Sequence, residues 1–291
     1  TGSAVATTAE TSRTSREAAV AARRELADLV VFLALVGIAE DAVGFGHPLE
    51  ALFGRAVTWD VDLLSGYTPL FMGKAGSRRR IGGFLSMVTP KLWNVIRDGA
   101  FDALIIHGHN LAAHHVALAA AKAAGTMVFT RGETHEKLTR SAWRQVLRKP
   151  LLKAHYRLMD GFLAIGSANR AYYEAMGIPS DRISLVPYTV DNTRFTAAGD
   201  AANREKMRAR LGVAGSAPVI VYASKFDVRK RPGDLLAAYA ELRREGVDAR
   251  LVMIGTGRLA EELKSIVAAK AIPDVVFPGF VNQTDLPAMY A

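Results

Sequence analysis

Short apolar runs alternate with longer segments of helical spacing along most of the chain. Apolar runs at 103–106, 126–130, 161–165 and 183–186 are followed by a second series at 218–223, 250–254 and 275–277. Buried strands that alternate with helices are typical of parallel sheets joined by right-handed crossovers. The pattern therefore predicts an α/β protein with two Rossmann-like domains that face a cleft.

The intervening segments are predicted to be helices, and a polar stretch at 191–200 is predicted to link the domains. The first domain is then 1–190, with a disordered leader at 1–14, and the second is 191–291. Near the start we predict a helix at 15–26 and a strand at 29–35, while residues 57–64 alternate loosely between apolar and polar positions. The other predicted helices are 84–98, 111–124, 136–159, 169–176, 232–244, 258–271 and one opened by Asp285.

Composition and charge narrow the class of protein. Of 291 residues 22% are charged, none is cysteine, and the net charge is +9. Such a balance favours an anionic partner, and the absence of cysteine fits a cytoplasmic protein without thiolate metal sites. The longest apolar run, 29–39, is shorter than the roughly 20 residues that a membrane-spanning helix needs.

Three stretches in the second half are more specific because of their order and spacing. They are ISLVPYTVD at 183–191 followed by Phe195, YASKFDVRKRP at 222–232, and LVMIGTG at 251–257 with VFPGFV at 276–281. Over residues 55 to 291 this set resembles the retaining GT-B glycosyltransferases of family 4. The resemblance implies the GT-B fold, and transfer of a sugar from a nucleoside-diphosphate sugar to an acceptor hydroxyl without a cofactor or metal.

Lys225 and Lys230 are the first candidates for that chemistry. Lys225 follows a predicted strand and Lys230 precedes a predicted helix, where two cations suit a diphosphate. The resemblance implies that this pair stabilises the departing diphosphate, although the family usually has Gly-Arg where this chain has Ser224 and Lys225. A solvated basic loop is the alternative interpretation.

Two further turns are predicted to lie against the donor nucleotide. Gly255 and Gly257 follow a strand and precede a helix, so they serve either close approach to a ligand or a tight turn. By resemblance, the backbone at Phe280 and Val281 faces the base, while Phe280 is alternatively a core residue.

The first domain contributes candidates that follow two strands. The resemblance implies that one of Arg131, Glu133 and His135 contacts the transferred sugar; the alternative is a helix cap by this loop. His109 is predicted to line the donor site, and its neighbouring histidines are predicted not to form a metal site because they lack carboxylates.

The predicted basic helix 136–159 is either a solvated helix or a peripheral contact with the inner face of an acidic membrane. Its cations recur about every four residues. The acceptor is unknown, with a glycan or a lipid-linked molecule as the two options, and nucleic acid is not an expected partner.

Compared with the family, the chain lacks the first glycine-rich loop and the paired-glutamate motif, so we expect a fragment whose second domain is incomplete. A non-catalytic sugar-nucleotide-binding module and a sugar-nucleotide epimerase are therefore the alternatives to a transferase.

Overall fold

A computed structural model of the chain describes residues 59–62, 65–68, 70, 72, 84–85, 90–134, 142–213 and 215–291, with the side chains of 142–148 left out. The described residues form two compact units. The first unit lies within Ile81–Tyr188. The second consists of Thr189–Ala291 and the short described stretches within Gly37–Arg80. The predicted domain boundary at residue 190 lies near this division, but the prediction did not assign residues near 60 to the second unit.

The first unit is built on a four-stranded parallel sheet with the strand order β1-β2-β3-β4. Its register pairs Ile106 with Thr130, Thr130 with Phe162, and Phe162 with Ile183. Because neighbouring strands are joined by helices, all of the strands end at the same edge of the sheet. The strands are β1 (Ala103–His107), β2 (Met127–Gly132), β3 (Gly161–Ala164) and β4 (Ile183–Leu185).

In the described part of the first unit, four helices accompany this sheet, and aromatic rings fill part of the space between the elements. Tyr156, Phe162 and Tyr173 are almost fully buried, and the rings of Phe162 and Tyr173 lie 4.9 Å apart. Such pairs add to the stabilisation from apolar burial. The helices are α1 (Pro90–Asp98), α2 (Ala112–Ala124), α3 (Ala142–Arg157) and α4 (Ser167–Ala175).

The second unit contains a three-stranded parallel sheet with the order β5-β6-β7. The strands are β5 (Val219–Ala223), β6 (Arg250–Ile254) and β7 (Val275–Gly279). Val252 pairs with Val276 but Ile254 pairs with Gly279, so β7 carries one extra residue between these pairs. Such a bulge bends a strand and redirects the chain that follows it.

The helices of the second unit lie before and between its strands. α5 (Asn192–Ala197) and α6 (Ala201–Arg210) precede the sheet, whereas α7 (Pro232–Arg244) and α8 (Ala260–Ala269) connect its strands. A core of Phe226, Leu236, Tyr239, Leu251 and Leu263, among others, packs α7 and α8 on the sheet.

The seven strands of the two sheets begin within one residue of their predicted starts, but several other expectations differ from the structure. Residues 84–85 form a turn instead of the start of a helix, which begins at Pro90, and residues 59–62 form a loop. The predicted linker 191–200 contains α5, and the last predicted helix is a short 3-10 turn, Pro287–Tyr290. The basic helix ends at Arg157 instead of 159.

Several predicted features lie outside the described residues. These are the leader, the helix 15–26, the strand 29–35, and the predicted sugar-contacting residue His135.

Candidate functional site

Three loops follow the strands of the second sheet, and backbone hydrogen bonds fix them to one another. The Ser224 amide donates to the Ile254 carbonyl (3.1 Å), the Phe226 amide to Thr256 (2.9 Å), and the Gly255 amide to Gly279 (2.8 Å). The loops after β5, β6 and β7 therefore form one continuous surface at the carboxyl edge of the sheet. Ligands of open α/β sheets bind at this edge.

Gly255 and Gly257 allow these loops to approach closely. Both have φ angles in the region that favours glycine, 138° and 152°. A Cβ atom on Gly255 would lie 2.0 Å from the Ser224 carbonyl oxygen, and one on Gly257 would lie 2.7 Å from that of Phe226. The glycines are thus required by the neighbouring loop. Their predicted contact with the donor stays a prediction.

The loop between β5 and α7 carries both candidate lysines. Asp227 accepts a hydrogen bond from the Arg229 amide (3.0 Å) and so caps the 3-10 turn Val228–Lys230, which leads directly into α7. The Tyr222 hydroxyl lies 3.3 Å from the carbonyl oxygens of both Lys225 and Lys230. One side chain therefore holds the two ends of the loop together, and both lysines lie near a helix N-terminus.

The electrostatics of this loop favour an anion. Burial lowers the pKa of the Lys225 ammonium, the charge of Lys230 lowers it further, and Asp227 acts in the opposite direction. The Asp227 carboxylate also forms an ion pair with Arg258 (3.1 Å). Two ammonium groups that repel each other at a helix N-terminus are stabilised by a ligand with several negative oxygens.

The remaining predicted donor contacts have different surroundings. The Ser224 carbonyl borders Gly255, as described, and Val281 packs against a core cluster that includes Val252 and Ile254. The half-buried Phe280 ring lies 6.3 Å from the Trp59 ring, so Phe280 is not part of the main core. All of these contacts are made within the protein, so the prediction that the backbone at Phe280 and Val281 faces the base stays a prediction.

In the first unit, Arg131 and Glu133 contact the chain segment that leaves β4. The Arg131 guanidinium lies 4.6 Å from the centre of the Tyr188 ring, and its Nη2 donates to the carbonyl of Val186 (3.3 Å). The Tyr188 hydroxyl donates to the Glu133 carboxylate, which raises the pKa of Tyr188. Both residues thus help to hold Tyr188, and their predicted contact with a sugar stays a prediction.

His109 belongs to a cluster of histidines. Its ring lies 6.2 Å from that of His155, and His155 lies 4.9 Å from His115. Burial, followed by the charges of neighbouring histidines, lowers the pKa values of His114 and His155 to about 4. His155, whose ring lies beside the predicted donor-site residue His109, is therefore neutral at pH 7. His155 was not among the residues singled out from the sequence.

Across the described part of the chain, no group of three histidine or acidic side chains is arranged to hold a metal ion.

Among the helices of the described residues, none is long and apolar enough to cross a membrane.

Some residues of the site were missed in the sequence. Tyr222 and Asp227 lie within the quoted motif, and the Asp-x-Arg spacing before a proline was a signal for a capped turn. Trp59 and Asp60 had no such signal, because their partners, Phe280 and Thr284, are more than 200 positions away in the sequence.

Two protein families match this chain over consecutive regions. The family described as "Glycosyl transferase 4-like domain" matches residues 54–189, and the family described as "Glycosyl transferases group 1" matches residues 203–291. The two matches meet near the division between the two units.

Curated relatives match shorter parts of the chain. A GDP-mannose-dependent alpha-(1-6)-phosphatidylinositol monomannoside mannosyltransferase of Mycolicibacterium smegmatis is 35% identical over 114 residues, which are 39% of this chain and 29% of that protein. An alpha-D-kanosaminyltransferase of Streptomyces kanamyceticus is 27% identical over 113 residues, 38% of this chain and 29% of that protein. The chain thus matches less than a third of the length of either relative.

Solved structures share the fold. The Anabaena HepE protein in complex with UDP has a TM-score of 0.55 and 18% identity, over 72% of this chain and 56% of that one. The same protein in complex with UDP and glucose gives a TM-score of 0.51 with 17% identity, over 69% and 53% of the two chains.

Proposed function

Since this chain belongs to the group 1 glycosyltransferases, we propose that the protein transfers a sugar from a nucleoside-diphosphate sugar to an acceptor hydroxyl, with retention at the anomeric carbon. The observation that carries the proposal is the pair Lys225 and Lys230 on one loop, at the carboxyl end of β5 and before the N-terminus of α7. The names of the curated relatives, both sugar transferases, support it.

The two lysines would act through electrostatic stabilisation of the leaving diphosphate. As the bond from the anomeric carbon to the diphosphate breaks, positive charge develops on the sugar ring and negative charge on the phosphate oxygens. Cations already fixed beside those oxygens stabilise the transition state without having to reorganise. Lys225 and Lys230 would hold the diphosphate and stabilise it as it leaves, while the loop of Arg131, Glu133 and His135 would contact the sugar.

For the acceptor we propose a lipid-linked molecule, with peripheral contact between α3 and an acidic membrane surface. The name of the mycobacterial relative refers to a phosphatidylinositol glycolipid. In the described part of this region, Leu151 and Leu158 are 74% and 51% exposed, and Lys149 and Arg157 are exposed beside them. Exposed leucines with neighbouring cations are suited to the interface of an anionic bilayer.

The test begins with calorimetric titration of the chain with UDP, GDP, ADP and their sugar conjugates. We expect one nucleoside diphosphate to bind, and Lys225→Ala with Lys230→Ala to weaken that binding strongly. Lys264→Ala is a matched control, since Lys264 is an exposed lysine of the same unit that pairs with Glu261. Failure of every nucleotide to bind, or equal loss in the control, would contradict the donor-site assignment.

Turnover then separates a transferase from an epimerase. With the nucleotide sugar that binds, a transferase releases nucleoside diphosphate in proportion to added glycolipid acceptor and forms a product with the donor's anomeric configuration, visible by proton NMR. An epimerase changes the nucleotide sugar or releases free sugar without any acceptor. Acceptor-independent chemistry would therefore replace the proposal by the epimerase alternative.

A further inference from the structure

A loop segment from the first quarter of the chain, Trp59 and Asp60, is attached to the loop that follows β7. The Asp60 carboxylate accepts hydrogen bonds from the Thr284 amide, with 3.1 Å and 3.2 Å to its two oxygens, and the Thr284 hydroxyl lies 3.4 Å from the Asp60 carbonyl oxygen. Beside this attachment, the Trp59 and Phe280 rings lie 6.3 Å apart at an angle of 56°. Both side chains are half-buried, so each ring keeps exposed surface.

The loop of residues 279–284 is also held by Arg194. The Arg194 guanidinium donates to the Gln283 carbonyl (3.2 Å) and lies 3.4 Å from the Gln283 side-chain oxygen. At its start, the extra residue in β7 shifts Gly279 relative to Ile254. Two anchors and a strand bulge thus define where Phe280 lies, which is the condition for a preformed binding surface.

This aromatic pair lies on the same surface as the two lysines. The Gly279 carbonyl accepts from the Gly255 amide, and Gly255 lies against the Ser224 carbonyl, one residue before Lys225. The order along the carboxyl edge of the sheet is therefore lysine loop, glycine loop, aromatic loop. A nucleoside diphosphate has the same order of parts, since its diphosphate and base lie at opposite ends of the ribose.

We infer that Trp59 and Phe280 form an aromatic platform for the base of the nucleotide donor, and that Asp60 is a positioning residue that holds this platform together. The inference rests on the proposed function, because it takes the ligand to be a nucleoside-diphosphate sugar. Stacking of a base on an aromatic ring contributes to affinity for any base, since every base has a flat π surface. The platform therefore strengthens binding without choosing between uracil and guanine.

The test compares a ligand that has a base with one that lacks it. Calorimetry gives the affinities of each variant for whichever of UDP and GDP binds the unmodified chain more tightly, and for pyrophosphate. We expect Trp59→Ala to weaken binding of the nucleotide about tenfold and to leave pyrophosphate unchanged. Trp93→Ala is the matched control: Trp93 is a half-buried tryptophan on α1 of the first unit and should alter neither affinity.

Fluorescence gives a second readout with a milder substitution. The chain has three tryptophans, Trp59, Trp93 and Trp143. A base stacked on Trp59 should quench its emission. We therefore expect the nucleotide-dependent quench to disappear in Trp59→Phe, which keeps an aromatic ring and affinity within about threefold, and to persist in Trp93→Phe.

Asp60 is tested by loss and rescue. Asp60→Ala removes the acceptor for the Thr284 amide and should weaken nucleotide binding about threefold with no effect on pyrophosphate. Asp60→Asn keeps one acceptor oxygen and should restore most of the lost affinity. Loss that extends equally to pyrophosphate in either variant would indicate a general structural defect and overturn the positioning role.

The outcomes distinguish this inference from the proposed function. If no nucleotide binds the unmodified chain, the proposed function fails and the platform fails with it. A different result contradicts the platform alone. If a nucleotide binds in a Lys230-dependent way, while Trp59→Ala retains full affinity and quenching remains in Trp59→Phe, the donor site stands and the aromatic platform is wrong.

Discussion

The strand-end loops of the two units are held in place by different means. In the first unit, side chains reinforce backbone bonds such as the one from the Gly108 amide to the Arg131 carbonyl (2.8 Å). Asn169, only 3% exposed, accepts a hydrogen bond from the Ile165 amide (3.2 Å) and donates one to the Thr134 carbonyl (2.7 Å), and Arg131 and Glu133 hold Tyr188. In the second unit, backbone amides and carbonyls join neighbouring loops, and glycines allow the close approach.

The difference bears on what the charged side chains of each unit do for its stability. Arg131 and Glu133 already have protein partners in the segment 186–188, so their charges stabilise the unit itself. In the second unit, backbone bonds between the loops set their shape together with a few side chains such as Asp60 and Arg194. Burial, followed by the charge of Lys230, lowers the pKa of Lys225, a cost that an anionic ligand would offset.

The largest expected effect comes from a substitution that disrupts the backbone arrangement of the second unit. Gly255→Ala would put a Cβ atom against the Ser224 carbonyl and require a φ angle that alanine disfavours, so we expect a loss of about 3 kcal/mol in the free energy of unfolding. Gly233→Ala on α7 is the control, because a Cβ there meets no atom within 4 Å. Urea unfolding of both variants measures this, and equal stabilities would show that backbone proximity is not what fixes the loops.

Two single substitutions, one in each unit, sharpen the contrast between the units. We expect Lys230→Ala to weaken binding of the nucleoside diphosphate 10- to 100-fold, with stability unchanged within about 0.5 kcal/mol. Arg131→Ala should do the reverse, with about 1–2 kcal/mol lost from the free energy of unfolding and affinity for the nucleotide unchanged, because its contacts to Tyr188 and Val186 are lost. Calorimetry and urea unfolding on the same samples test both, and exchanged outcomes would reverse the comparison.

A third contrast separates the units by pH. Folding lowers the pKa values of His114 and His155 from 6.5 to about 4, so the unfolded chain binds more protons between these values. The stability of the first unit should be complete above about pH 6.5 and fall as the pH drops towards 4, on the order of 1–2 kcal/mol per histidine after allowance for partial exposure.

That pH dependence should be absent from the second unit over residues 189–291, which contain no histidine. Emission from a Trp59→Phe chain reports the first unit through Trp93 and Trp143. His114→Gln combined with His155→Gln should flatten the slope between pH 6.5 and 4. A slope that survives in this double variant would assign it to other groups.

Most of the fold was predictable because buried parallel strands give continuous apolar runs. The strand Arg250–Ile254 and the helix Pro232–Arg244 were predicted to the residue, the helix because Pro232 marks its first turn. The segment 191–200 was misread. Asp191 and Asp200 accept bonds from the amides of Arg194 and Asn203 and begin two helices, but such caps resemble linker residues in a polar sequence.

The candidate site was predictable only where one local motif contains it. Lys225 and Lys230 lie on a single loop, so their proximity follows from their spacing. The partnership of Arg131 with Tyr188 depends on how β2 and β4 are arranged around β3, which no local pattern records. The attachment of Asp60 to Thr284 is of the same kind, because the two residues are 224 positions apart.

The backbone bonds between the loops of the second sheet also have an evolutionary consequence. Because the Phe226 amide bonds to the backbone carbonyl of Thr256, the side chain at Thr256 is not what gives the glycine loop its course. Substitutions at Thr256 can accumulate while the surface keeps its shape, provided that Gly255 and Gly257 remain.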